Sequence, residues 1–183
     1  MNDIRNLLPD PKPTDTSDWV VPSSRDVRVQ MLDGNRLHLT NNADNADSYV
    51  YTQVSLPAGQ YRFGVEVSAP QGAAPTKLLR VVVPPRTELT PAIWDGQTGR
   101  VVTPPNTLPE DGELEFRVMV GPTTGCAIWV RRLFVMTDDD WQRMLDAGIA
   151  WFDGDSRIDT HPPPAEWFAI LAARHHLELE VVA

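Results

Sequence analysis

The chain has 183 residues, a net charge of −9, 42% hydrophobic and 22% charged residues. That apolar content argues against global disorder, and the length suits one domain of ordinary size with an appendage. The acidic balance repels phosphate backbones and argues against a nucleic-acid partner. Cys126 is the single cysteine, so no internal disulfide can form.

The first residues, Met1 to Pro9, hold no basic segment followed by an apolar core, so no secretory signal is expected. The apolar runs are too short to span a bilayer, which predicts no membrane insertion. Residues 1–18 are polar and punctuated by Pro9, Pro11 and Pro13, which predicts an extended N-terminal arm.

Trp19, Val20 and Val21 begin the ordered structure. Val27 to Leu32 predicts a strand, and Asp33-Gly34-Asn35 predicts a hairpin turn into Arg36 to Thr40. The Asn41 to Asp47 stretch is a loop. Tyr49 to Val54 is aromatic and β-branched, hence a strand. Gln60 to Ser68 alternates clearly, with Tyr61, Phe63, Val65 and Val67 on one face. Further strands are predicted at Lys77 to Val83, Ala92 to Trp94, Arg100 to Val102, Glu113 to Val120 and Cys126 to Met136. Short strands with a turn signal every ten or so residues predict a sandwich or barrel.

The pattern changes at Thr137. A hydroxyl followed by Asp138, Asp139 and Asp140 is a helix N-terminus, with Trp141, Met144 and Leu145 at helical spacing and Gly148 as the stop. A short strand is predicted at Ile149 to Phe152, a turn at Asp153-Gly154-Asp155, a second helix over Ala165 to His176 and an edge strand over Leu177 to Val182. The expected organisation is an arm over 1–18, a jelly-roll-like antiparallel β-sandwich over 19–137 and a small α+β appendage over 138–183.

No phosphate loop, nucleophile elbow or zinc signature is present, so an enzyme is not expected. His161, His175 and His176 lack a Cys/His cluster, and Cys126 reads as a small buried hydrophobe. The aromatic candidates for sugar stacking are Trp19, Tyr49, Tyr51, Trp94 and Trp129, because a flat ring suits the C–H face of a sugar. Trp94 is the foremost, since Asp95 and Gln97 beside it could fix hydroxyls. The competing reading has Trp94 packed on the core or on a neighbouring subunit. For Trp129 and the Tyr49/Tyr51 pair, packing within a strand is the favoured reading.

Several segments resemble minor tail proteins of phages that infect actinobacteria. Asn6-Leu7-Leu8-Pro9-Asp10-Pro11 is similar to their opening, and Tyr49 to Ser68 and Ala127 to Val135 are similar to their sandwich strands. The acidic helix followed by Gly148-Ile149-Ala150-Trp151-Phe152-Asp153-Gly154-Asp155-Ser156 resembles a unit that follows carbohydrate-binding-module-like jelly rolls in those proteins. The resemblance covers most of residues 6–156. It implies a structural virion component near the tail tip, made in the host cytoplasm, whose partners are other virion proteins. It also implies a homo-oligomer, with a trimer suggested by tail-tip symmetry. Assembly contacts are expected from Leu7 and Leu8 in the arm and from Trp167, Phe168 and Leu171 in the appendage. The alternatives are a glycan-binding module for the host envelope and a head-surface decoration protein. No cofactor is expected; jelly rolls of this kind can hold a structural Ca²⁺, but the residues name no ligand set for one.

Overall fold

The computed structural model describes residues 4–69 and 76–152. Among these lie β1 (Val27–Leu32), β2 (Arg36–Asn41), β3 (Tyr49–Leu56), β4 (Gly59–Ser68), β5 (Lys77–Val83), β6 (Thr87–Glu88), β7 (Ala92–Ile93), β8 (Gly99–Val102), β9 (Asn106–Leu108), β10 (Gly112–Met119), β11 (Ala127–Thr137) and α1 (Asp138–Asp146). They form the expected antiparallel sandwich. One sheet runs β1-β2-β11-β4-β8, with β9 also on β4; the other runs β3-β10-β5-β6, with β7 also on β5.

Alternation builds the core. Tyr61, Phe63, Val65 and Val67 of β4 face Leu114, Phe116 and Val118 of β10, all essentially without solvent contact. The Phe63 and Phe116 rings meet at 5.4 Å between centroids. The hairpin turn joins β1 to β2, with Gly34 and Asn35 both at positive φ. The short strands β6 and β9 had no sequence signal, because two or three residues cannot show a period.

β11 organises the rest. Ile128 and Val130 point into the sandwich, and then the register against β4 slips by one residue between Arg131 and Phe134. Arg132 sits at φ 52 in this β-bulge. The extra residue reverses the facing, so Leu133 and Val135 point inward and Phe134 and Met136 point outward. Strict alternation would have driven Arg132 into the core.

The outward pair is covered. Phe134, Met136, Trp141, Met144, Ile4 and Phe152 form a second apolar cluster beneath α1. The Phe134 and Trp141 rings stack at 5.2 Å. Thr137 caps the helix by accepting from the Asp140 amide at 3.1 Å, as the acidic start predicted. Gly148 ends it in the left-handed region at φ 67.

β2 pairs with β11 only up to Val130, which leaves the far edge of β11 open. The N-terminal segment fills it. The Leu7 amide donates to the Val135 carbonyl at 2.7 Å. The Asn6 side chain accepts from the Val135 amide at 3.2 Å and donates to the Leu133 and Phe152 carbonyls, both at 3.0 Å. Asn6 thus imitates a peptide group and ties three segments together.

Two expectations change here. Leu8 is buried and Leu7 half-buried against the chain's own core, so neither is an open assembly contact. Ile149 to Phe152 is not a strand; its backbone meets no strand edge and is held by the burial of Phe152 and the bond from Trp151 Nε1 to the Leu133 carbonyl at 3.3 Å. Trp167, Phe168, Leu171, the predicted second helix and the predicted edge strand lie outside the described residues.

Gly64 on β4 lies directly under the Phe134 ring, where any Cβ would overlap the ring atoms. Gly64→Ala is therefore expected to destabilise the fold by about 1–3 kcal/mol through overpacking. Chemical denaturation would measure this, and the loss should shrink when Phe134→Leu is added.

Candidate functional site

The outward face of the β1-β2-β11-β4-β8 sheet has two halves. Beyond the bulge it lies under α1. Before the bulge it is an open groove of about 370 Å³, lined by Arg36, Glu66, Ser68, Thr98, Trp129 and Arg131 among others.

Register explains how these residues meet. Gln30, His38, Trp129 and Ser68 are successive cross-strand partners, so they form one row across four strands. The next row holds Arg131, Glu66 and Arg100. Trp129 is half-buried, and its indole stacks on the His38 imidazole at 4.9 Å with only 10° between the planes. A ring backed in this way is held flat and presents its other face.

Glu66 is gripped by two arginines from the bulge. Arg131 donates to Oε1 through both Nε, at 2.7 Å, and Nη2; Arg132 Nη1 donates to Oε2 at 3.0 Å. On the other side Arg36 donates through Nε to the Asp33 carbonyl at 2.9 Å. A second depression of about 180 Å³ adjoins the groove, shares Arg131 as a wall and includes Trp151 and Arg132.

The foremost sequence candidate lies elsewhere. Trp94 is buried in the main core, and its Nε1 donates to the Gln97 carbonyl at 2.7 Å. Its ring offers no face to a sugar, because both faces pack on protein. Asp95 and Gln97 are exposed, but Asp95 Oδ1 accepts from the Gln97 amide at 2.9 Å within the loop. Only Thr98 of this loop reaches the groove. Trp19 is buried as well, and Tyr51 exchanges backbone bonds with Val20. Tyr49 is buried beneath the guanidinium of Arg117 at 4.4 Å; burial first of all pushes its hydroxyl above the usual pKa, and the Arg117 charge opposes this. Trp129, read from sequence as strand packing, is thus the aromatic that lines the groove. Among the described residues no group of three or more His, Cys, Asp or Glu is placed to hold a metal ion.

No family model and no curated protein matches the chain. Solved structures do match it. The fold is shared with carbohydrate-binding modules. A family 61 module solved with β-1,4-galactotriose has a TM-score of 0.52 at 20% identity, covering 73% of this chain and 99% of that one. A family 22 xylan-binding domain from Paenibacillus barcinonensis has a TM-score of 0.52 at 12% identity, over 74% of this chain and 94% of that one. The enzymatically active domain of tailspike protein 4 from bacteriophage CBA120 has a TM-score of 0.51 at 10% identity, over 72% of this chain but 21% of that one.

His38 connects the site to pH. Burial, helped by the Arg28 charge, lowers its pKa from the ordinary 6.5. The unfolded chain therefore binds the His38 proton at a higher pH than the folded chain does. This contribution to stability is complete above about pH 6.5 and declines as the pH falls toward the lower folded value. Thermal unfolding of the native chain and His38→Phe from pH 8 to 5 should show a steeper loss for the native chain below pH 6.5.

Proposed function

We propose that the chain is a non-catalytic glycan-binding module whose binding face is the open half of the β1-β2-β11-β4-β8 sheet. The observation that carries this reading is the Trp129 indole, held flat on His38 along an open groove ringed by polar side chains. The apolar face of a sugar ring stacks on the indole, while Ser68, Thr98 and the flanking charged groups hydrogen-bond its hydroxyls. The fold supports the same reading, because the similar structures include modules solved with or named for glycans.

Trp129→Ala is expected to weaken binding to a glycan array by tenfold or more with little change in unfolding midpoint. Trp94→Ala should do the reverse, costing about 3–5 kcal/mol of stability through a core cavity. Glycan binding that survives Trp129→Ala would overturn this assignment of the site.

A second reading places this module in a virion, as a tail component that presents the groove to a host envelope. The resemblance of its segments to minor tail proteins and the similarity to a phage tailspike domain favour it. Tail tips are symmetric, so light scattering coupled to size exclusion should find a trimer. A monomer at all concentrations would count against the trimeric tail-tip arrangement.

A further inference from the structure

The groove carries a charge opposite to that of the chain. The molecule has a net charge of −9, yet the groove is lined by Arg36 and Arg131 against the one carboxylate of Glu66, with Arg132 beside it in the bulge and Arg28 further along the same face. Arg28 is outward on β1, two residues from Gln30, and lies near enough for its charge to act on His38.

Glu66 cannot neutralise this cluster. It is shared between Arg131 and Arg132, and no carboxylate among the described residues forms an ion pair with Arg28 or Arg36. Each guanidinium has five N–H donors in a planar fork. Arg36 uses Nε on a backbone carbonyl and keeps both terminal amino groups, while Arg131 keeps Nη1. Arg131 and Arg132 are about half exposed, at 45% and 49%, so their bonds to Glu66 are weak enough for a ligand anion to share the guanidinium groups. A neutral sugar needs a few hydroxyl partners and an aromatic face. It does not need several cations gathered on an acidic protein.

We propose that this groove recognises an anionic saccharide, its ring stacked on Trp129 and its acidic group held by Arg36 with the exposed edge of Arg131. The inference rests on the glycan-binding reading and adds the charge of the ligand. The adjoining depression, walled by Arg131 and bordered by Arg132 and Trp151, extends the same surface for a second acidic residue of the polymer. A carboxylate and a phosphate both match the fork of a guanidinium.

The test uses the full chain in titration calorimetry with polygalacturonate, alginate and hyaluronan, each beside its methyl-esterified form. A phosphorylated glucan separates phosphate from carboxylate, and xylan and galactan serve as neutral glycans. At least one acidic polymer should bind tenfold or more tightly than its ester, with affinity that falls as salt rises. Arg36→Gln should abolish that preference while leaving the unfolding midpoint unchanged. Glu66→Gln should move affinity the other way, strengthening the acidic form alone, because it frees Arg131 and Arg132. Equal binding of acid and ester, or a preference untouched by Arg36→Gln, overturns the charge inference and leaves the glycan reading standing. Binding of xylan or galactan alone does the same. If no saccharide of either kind binds, both readings fail. Binding of oligo-dA as tight as that of the acidic polymers, and insensitive to Trp129→Ala, would show a general polyanion surface and also overturn the proposal.

Discussion

One extra residue in β11 determines what the outer face of this protein can do. The bulge around Arg132 reverses the facing of every side chain that follows it. Before the bulge the strand sends Trp129 outward into an open groove. After it the strand sends Phe134 and Met136 outward, and these apolar side chains must be covered. The same strand therefore lines an open groove and a packing surface on one side of one sheet. The cost of the bulge is a non-glycine residue in the left-handed region, about 1–2 kcal/mol. Placing a guanidinium in the sandwich core would cost far more.

The covering of that second half draws on both flanks of the sandwich sequence. α1 supplies Trp141 and Met144, and the N-terminal segment supplies Ile4. Asn6 completes the β11 edge that β2 leaves open and also holds the Phe152 carbonyl. Segments that read as an arm and an appendage are therefore parts of one packed unit over the described residues. By covering half of the sheet they also set the boundary of the groove. Arg62, Asp138 and α1 close one end of the face with an ion pair and a helix.

The groove joins two kinds of attraction that seldom interfere. The stacked His38 and Trp129 pair offers the apolar face of the indole, and burial with the Arg28 charge lowers the pKa of the His38 beneath it. The arginines offer charge at the margin, where water access keeps their desolvation small. Glu66 pairs with two of them, Arg131 and Arg132, and offsets part of their mutual repulsion. In the proposed glycan site, stacking supplies the affinity that is insensitive to salt, and the arginines supply the discrimination that is not.

The sequence by itself determined the sandwich, the positions of the long strands, the Asp33-Gly34-Asn35 hairpin and the Thr137 cap. Each of these depends on local periodicity or on a residue's own backbone preference. Leu133 to Met136 is apolar on both parities, which signals a strand buried on both faces. What the sequence could not determine was which aromatic faces solvent. Trp94 and Trp129 both sit among short strands, and only sheet order decides that one enters the core while the other meets His38 across the β2-β11 pair. The arginine pair of the groove was invisible for the same reason. Arg36 and Arg131 are far apart along the chain, and they line one groove only when β2 and β11 lie side by side. Alternation is a local property, whereas a binding site is made by register between distant strands.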